Sequence, residues 1–295
     1  MITFFATPKP FRGHIGIIQR NAIESWKRIH PDAEVILFGD EEGAAEAAHE
    51  LGIRHVPEVA RNEHGTPYLN DLFDSAQTIA RHELLCFLNC DILLLSDFRE
   101  AVNRIEPMYR RFLMLGRRWD VGIVEPLNFA SADWERSLRQ FAIVSDHRRP
   151  PQWIDYFVFP RGLYRGQILP FAIGRPGYDN WLIWKTRRLR APVIDASEVV
   201  VAPHQNHDYS HHKNGEKGFW EGEEAQANSR LLGSWRHFNT IEDATHRLTS
   251  AGLRRSFRHW TAVFQRAAGA ARNSIWFGFL DLTRAFRHRV GLRQT

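Results

Sequence analysis

Cysteine is scarce in this chain, with two in 295 residues, Cys86 and Cys90. They stand four apart in one apolar run, on the same side of an expected strand and too far apart to bridge. A disulfide framework is therefore excluded, and a reducing, cytosolic setting is expected. No apolar run approaches the ~18 residues of a membrane span. The opening MITFFATPKPF lacks the basic-then-apolar pattern of a secretion signal, so none is expected. Several catalytic signatures are also missing. Without GxxxxGKS/T there is no P-loop. The lack of GxGxxG after the first apolar segment counts against a dinucleotide fold, and the lack of GxSxG against a hydrolase elbow. Neither HExxH nor CxxC occurs.

What remains is an ordinary globular composition, 43% hydrophobic and 25% charged, which argues against disorder. The net charge of +5 is unevenly spread. Residues 251–295 hold nine Arg and one Asp, so the rest of the chain is slightly acidic. A nucleic-acid partner is not expected for the main body.

Apolar patterning alternates between strand and helix from the first residue. Strands are expected at 2–7, 34–40, 54–61 and 84–95, with helices at 17–29, 41–52, 69–81 and 97–106. This rhythm implies a parallel sheet covered on both faces by helices. After residue 110 it loosens, with strands expected at 110–123 and 155–160, a helix at 177–189 and two short strands within 191–204. The expected division is a domain over 1–248, made of a nucleotide-type first half (1–110) and a substrate-shaping second half (111–248), and a tail over 249–295.

The segment LLCFLNCDILLL (84–95) carries two polar residues inside a run that should be buried. On a strand, Asn89 and Asp91 would point to one side, toward the carboxyl end, where ligands bind in open α/β sheets. A buried carboxylate needs a partner: a backbone N–H in a turn or a divalent metal. Other polar residues follow other strands: Thr7, Pro8 and Lys9 the first, Asp40 the second, Arg61 the third. Capping and surface roles would explain each singly, but together they describe a nucleoside-diphosphate site.

Two further clusters stand out. HQNHDYSHHKNGEKGFWEGEE (204–224) holds four histidines in nine residues, and imidazole is a common metal ligand. Its Gly215, Lys217 and Gly218 suggest a loop closing on an anion. IGRPGYDNW (173–181) puts Asp179 near the start of a helix, as a cap or as a general base toward an acceptor hydroxyl.

These segments together resemble glycosyltransferases of the GT-A fold, most like bacterial family-two-type enzymes. GTPYLNDLFDSAQTIARHELLCFLNCDILLL (65–95) resembles the helix leading into the DxD strand, FGDEE (38–42) the second-strand end, IGRPGYDNW the acceptor-side loop, and, more loosely, HHKNGEKGFW (211–220) an HxxGxxK element. The resemblance spans roughly residues 1–245. It implies an α/β, Rossmann-like, mostly parallel sheet flanked by helices, with a basic helical extension at the C-terminus. It also implies transfer of a sugar from a nucleotide-diphosphate donor, UDP-sugar favoured, to a glycan, lipid-linked or small-molecule acceptor, with Mn²⁺ or Mg²⁺.

Carried onto this sequence, Asp40 and Arg61 would hold the base, Asn70 would lie near the ribose, and Thr7 and Pro8 would line the donor. Asn89 and Asp91 would meet metal and nucleotide, with Asn89 where the family has the first acid. His204 or His212 would be the late metal ligand and Lys217 would face the diphosphate. Asp179 would be the base, with Asp155, Tyr178 and Trp181 contacting the acceptor. Asp179 suggests inversion and the HxxGxxK-like loop retention, so the stereochemical cues point opposite ways. Two other classes fit the same residues: a non-catalytic nucleotide- or sugar-binding module, and a metallohydrolase built on the histidine loop.

In the tail, Leu253, Phe257, Trp260 and Phe264, then Ile275, Phe279, Leu282, Phe286 and Val290, recur at helical spacing among arginines. Basic amphipathic helices of this kind suit an anionic membrane surface. The expectation is a peripheral position at the inner face of the cytoplasmic membrane, compatible with polysaccharide biosynthesis. The plainer alternative is helices packed on the catalytic domain or on a second subunit.

Overall fold

The computed structural model describes residues 1–145, 147–207, 220–258 and 261. Among them, ten strands join in one mixed, mostly parallel sheet. In chain order they are β1 (Ile2–Ala6), β2 (Glu34–Phe38), β3 (Arg54–Val56), β4 (Leu84–Leu88), β5 (Leu113–Val121), β6 (Ile154–Pro160), β7 (Val193–Asp195), β8 (Ala202–Gln205), β9 (His246–Thr249) and β10 (Gly252–Arg255). Their order across the sheet is β10-β9-β7-β5-β6-β4-β1-β2-β3, with β8 paired to β5 beside this path. The helices are α1 (Gly13–Lys27), α2 (Ala44–Leu51), α3 (Leu69–Ile79), α4 (Ser96–Ile105), α5 (Trp134–Ser145), α6 (Tyr178–Arg188) and α7 (Glu223–Leu232). The α/β class and the mostly parallel sheet flanked by helices are those the resemblance implies.

The central strands read as continuous apolar runs because both their faces are covered. Along β4, Leu84, Cys86 and Leu88 meet Trp26 of α1 and Phe98 of α4 in one core. Leu85 and Phe87 enter the opposite core, with Phe73 of α3 and Trp181 of α6. That second core is aromatic: Phe73 stacks on Phe159 with centroids 5.2 Å apart and meets Phe5 edge-on at 5.3 Å. Helix α2 stops at Gly52, whose φ of 62° is left-handed and suits a residue without a Cβ.

Strand β6 runs against both neighbours. It pairs antiparallel with β4 and with β5. Its amino end, with Asp155, therefore lies at the edge where β1, β2, β4, β5 and β8 finish. Six kinds of approach to one edge, five carboxyl ends and one amino end, bring distant parts of the sequence together.

Several expectations are corrected. The strand over 84–95 ends at Leu88. Asn89 N–H donates to the Asp155 carbonyl (3.1 Å) and Ile92 N–H to the Asn89 carbonyl (3.2 Å), making a turn, so strict alternation of Asn89 and Asp91 does not apply. The strand over 54–61 is only three residues long, and Arg61 is joined instead to Pro67 by an isolated bridge. Helices α5 and α7 were not anticipated, nor was the β9–β10 hairpin, which crosses the expected boundary at residue 248. Leu253, counted in a helical stripe, lies in β10. Trp260, the stripe from Phe264 to Val290, His212 and Lys217 lie outside the described residues. No helix among the described residues is long and apolar enough to cross a membrane.

Candidate active site

The turn after β4 is fastened from three directions. Gln205 N–H of β8 donates to the Asp91 carbonyl (3.0 Å), and Leu93 N–H to the Pro203 carbonyl (2.8 Å). From α1, the Trp26 indole N–H donates to the Ile92 carbonyl (2.7 Å), and the Ser25 hydroxyl accepts from Leu94 N–H (3.0 Å). The Gln205 side chain adds contacts to Ile18 and Asn21. All of these ties except the side-chain pair of Asn21 and Gln205 spare a backbone group from burial without a partner. Their result is a fixed position for Asp91.

Asp91 is 7% exposed. Its Oδ2 lies 3.1 Å from Nε2 of His207 and 3.8 Å from Nε2 of His204. One ligand atom from each of Asp91, His204 and His207 falls within 4.8 Å of the others. Asp91 Oδ1 is buried without a hydrogen-bond partner. Burial opposes ionisation of this carboxyl, but His204, the hydrogen bond from His207 and the nearby Lys9 outweigh it and hold its pKa well below the ordinary carboxylate range. An ionised, desolvated carboxylate with one oxygen to spare beside two imidazoles fits a divalent cation.

Around this centre, charges are paired closely. Lys9 Nζ lies 3.0 Å from His207 Nε2. Burial lowers the Lys9 pKa and Asp91 raises it again in part. The Lys9 backbone is held on both sides by Gln19, which accepts from Lys9 N–H (2.6 Å) and donates to the Lys9 carbonyl (2.8 Å). Arg118 Nη1 meets Asp155 Oδ2 at 3.0 Å and its Nε meets Asp120 Oδ1 at 3.0 Å. Asp120 Oδ1 also lies 3.2 Å from His204 Nδ1, outside hydrogen-bond geometry, with the ring's Nε2 on the side of Asp91. A carboxylate behind a ligating imidazole is the usual supporting partner of a metal-bound histidine. The Arg118 and Arg149 guanidinium groups both lie over the Trp153 ring, at 4.9 and 4.5 Å from its centroid.

Asn89 is turned away from Asp91's partners, its amide donating to Asp155 Oδ1 at 2.7 Å. Asp155 is thus committed to Asn89 and Arg118, at the floor of the site. Thr7 and Pro8 follow β1 directly, beside Lys9. At the end of β2, Arg61 holds Asp40 (2.7 Å) and Glu41 (2.9 Å). Gly39 there has a φ of 107°, a backbone conformation that favours glycine. Asn70, in the first turn of α3, keeps a buried Oδ1 with no partner.

Asp179 sits in the first turn of α6, whose N-cap is Gly177, so it is not the capping residue. Its Oδ1 is buried and unpartnered. Burial pushes its pKa up to about 7, backbone N–H groups at its helix end oppose that, and the negative charge of Asp155 adds to it.

Two of the expected acceptor contacts lie in the second core. Trp181 is 3% exposed and packs between Phe171 and Trp184. Tyr178 is buried edge-on against Phe87. Both belong to the second core, because helical spacing that carries Asp179 to the edge turns these neighbours inward. Arg118 and Asp120 join the centre although sequence reasoning gave them no role there, while Lys9 was noted only as a strand-end residue and His207 only as one of the histidine cluster. The signal for His207 was its place in the histidine cluster, three residues after His204.

No family model matches the chain, and no curated protein matches it. Many solved structures resemble it at a distance, among them the following two. One is glucosyl-3-phosphoglycerate synthase from Mycobacterium tuberculosis, in complex with Mn²⁺, UDP and phosphoglyceric acid. It is 16% identical, with 81% of this chain and 79% of that chain covered and a TM-score of 0.47. The other is S. aureus TarS, residues 1–349, 10% identical, with 69% of this chain and 60% of that chain covered and a TM-score of 0.47. At identities and TM-scores this low, the reading of the site rests on its own geometry.

Proposed function

We propose that the chain is a glycosyltransferase that moves a sugar from a nucleoside-diphosphate donor, UDP-sugar favoured, to an acceptor hydroxyl. The observation that carries this reading is the buried Asp91 with its spare oxygen, set with His204, His207 and Lys9 at the carboxyl edge of the sheet. That edge is where α/β sheets bind nucleotides, and the surrounding segments are those that resemble the GT-A enzymes. Asp91, His204 and His207 would hold the cation. A donor set with two imidazoles favours Mn²⁺ over Mg²⁺, which prefers oxygen throughout.

In the reaction, the acceptor oxygen bonds to the anomeric carbon while the bond from that carbon to the diphosphate breaks. The electron pair leaves with the nucleoside diphosphate. A cation held by Asp91, His204 and His207 would supply positive charge to the departing diphosphate. Lys9 and Lys217 would add theirs. Asp179 takes the acceptor proton, and a pKa near neutrality suits that task. Asp155 and Arg118 keep the floor rigid. Asp40, Arg61, Asn70, Thr7, Pro8 and Asn89 line the path of the nucleoside. Residues 250–295 would carry the chain to an anionic membrane surface, where a glycan or lipid-linked acceptor is at hand.

The test is calorimetric titration of UDP and of GDP, with and without Mn²⁺, into wild type and Asp91→Ala. Metal-dependent UDP binding that the variant loses supports the reading. Failure of both nucleotides under every condition refutes it, and a tightly held metal without nucleotide affinity turns the site into a metallohydrolase centre. Nucleotide binding with no turnover of any UDP-sugar leaves a binding module.

A further inference from the structure

Lys9 is an unexpected neighbour for a cation site. Its ammonium lies 3.0 Å from His207 Nε2, the same nitrogen that lies 3.1 Å from Asp91 Oδ2. A fixed positive charge beside the ligands of a divalent cation repels that cation, and burial strengthens the repulsion. A lysine placed there by packing alone would be expensive, since a buried ammonium needs a counter-charge. The structure gives it one in Asp91, the ligand itself.

We propose that Lys9 is the resident counter-ion of the Asp91–His204–His207 cluster, holding divalent cations off until the diphosphate of a donor draws its ammonium away. This inference rests on the donor-site reading above and adds an order to it. Cation and nucleotide load together, and a cation alone loads poorly. The anchoring favours such a movement. Gln19 clamps the Lys9 backbone on both sides, so the flexible four-carbon stem is the part left to swing. An incoming diphosphate offers the ammonium charge-assisted hydrogen bonds from phosphate oxygens. His207 then loses a cationic neighbour at Nε2, the nitrogen that faces Asp91. The coupling must be reciprocal: whatever factor UDP adds to cation affinity, the cation adds to UDP affinity.

The experiment measures free Mn²⁺ by electron paramagnetic resonance while Mn²⁺ is titrated into the full chain, with and without UDP. The proteins are wild type, Lys9→Met, Lys9→Gln, Lys9→Arg and Asp91→Ala, each checked for a wild-type urea midpoint. Without nucleotide, Lys9→Met or Lys9→Gln is expected to bind Mn²⁺ at least about tenfold tighter than wild type, a gain of about 1.4 kcal/mol. Lys9→Arg, which keeps the charge, is expected to stay within about twofold of wild type. UDP is expected to tighten Mn²⁺ binding by a larger factor in wild type than in Lys9→Met. The inference is overturned if the neutral variants bind Mn²⁺ no tighter than wild type, or not at all. It is equally overturned if Lys9→Arg tightens as much as Lys9→Met, since shape and not charge would then be responsible. Asp91→Ala reports on the site separately. Loss of Mn²⁺-dependent UDP binding there, with unchanged Mn²⁺ affinity in Lys9→Met, leaves the donor site standing and removes only the role of Lys9.

Discussion

Asp179 should couple stability and activity to the same proton with opposite signs. Its carboxyl is buried, its Oδ1 has no partner, and its pKa is raised from 3.8 to about 7. Between those values the unfolded chain has released the proton and the folded chain still holds it. Stability therefore falls by about 1.36 kcal/mol per pH unit through this window. It is fully present below pH ~4 and lost once the pH has risen through about 7, a total of up to about 4 kcal/mol. Asp179→Asn removes the titration. Its amide carries a fixed penalty of about 1–3 kcal/mol for imperfect pairing, but that penalty does not vary with pH. The measurement is the urea midpoint of wild type and variant at several pH values from 4 to 8.5, with chelator and without nucleotide. The variant is expected to gain on wild type steadily between pH 4 and 7 and then hold its gain. By melting temperature the relative gain is about 8 °C, at about 2 °C per kcal/mol for a chain this long. Over the same window wild-type transferase activity should rise, because only the ionised carboxylate accepts a proton, while the variant stays inactive. Stability curves that run parallel at every pH would refute the assignment of this pKa, and with it the argument that Asp179 is poised as a base.

Two further perturbations probe the frame of the site. Arg118→Met should cost about 3–5 kcal/mol, because it leaves the buried Asp155 carboxylate without its cation, although the half-buried Asp120 keeps Arg149; a change in the urea midpoint worth under ~1 kcal/mol would contradict the pairing. Trp26→Phe keeps most of the buried ring but leaves the Ile92 carbonyl without its indole donor. It should lower stability by about 1–3 kcal/mol and weaken Mn²⁺-dependent UDP binding, whereas unchanged binding would show that α1 does not hold Asp91 in place.

Much of the fold was legible because the first half of the chain is buried on both sides of its sheet. The strands through Leu88 announce themselves as unbroken apolar runs, and the intervening helices by spacing and by Gly52. The second half is harder for a physical reason. β6 runs antiparallel between β4 and β5, so no alternation of strand and crossover helix marks its place. β9 and β10 carry charged residues on a sheet edge, which reads as a basic tail. At the site, Asp91 was conspicuous as a charge in an apolar run, and His204 as part of a dense cluster. Asp120 and Arg118 were inconspicuous, and Lys9 stood out only as a strand-end residue, because their roles come from pairs that only the folded chain creates. Trp181 and Tyr178 illustrate the converse, since an aromatic residue next to a functional acid still answers first to the helix face on which it stands.

Asp91 and His207 are 116 positions apart in the chain. Closing a loop of that length costs roughly 4 kcal/mol of chain entropy before any contact returns it. The cost is met by the sheet and not by the site, since β8 must already lie on β5 for the histidines to arrive. A division of the domain at residue 110 consequently runs through the middle of the centre, with Lys9 and Asp91 on one side and Asp120, His204 and His207 on the other. Neither half owns a usable site. Separately made pieces of this protein would have to find each other before they could hold a cation, and a break in the chain anywhere between residues 91 and 204 would show its effect at the same place.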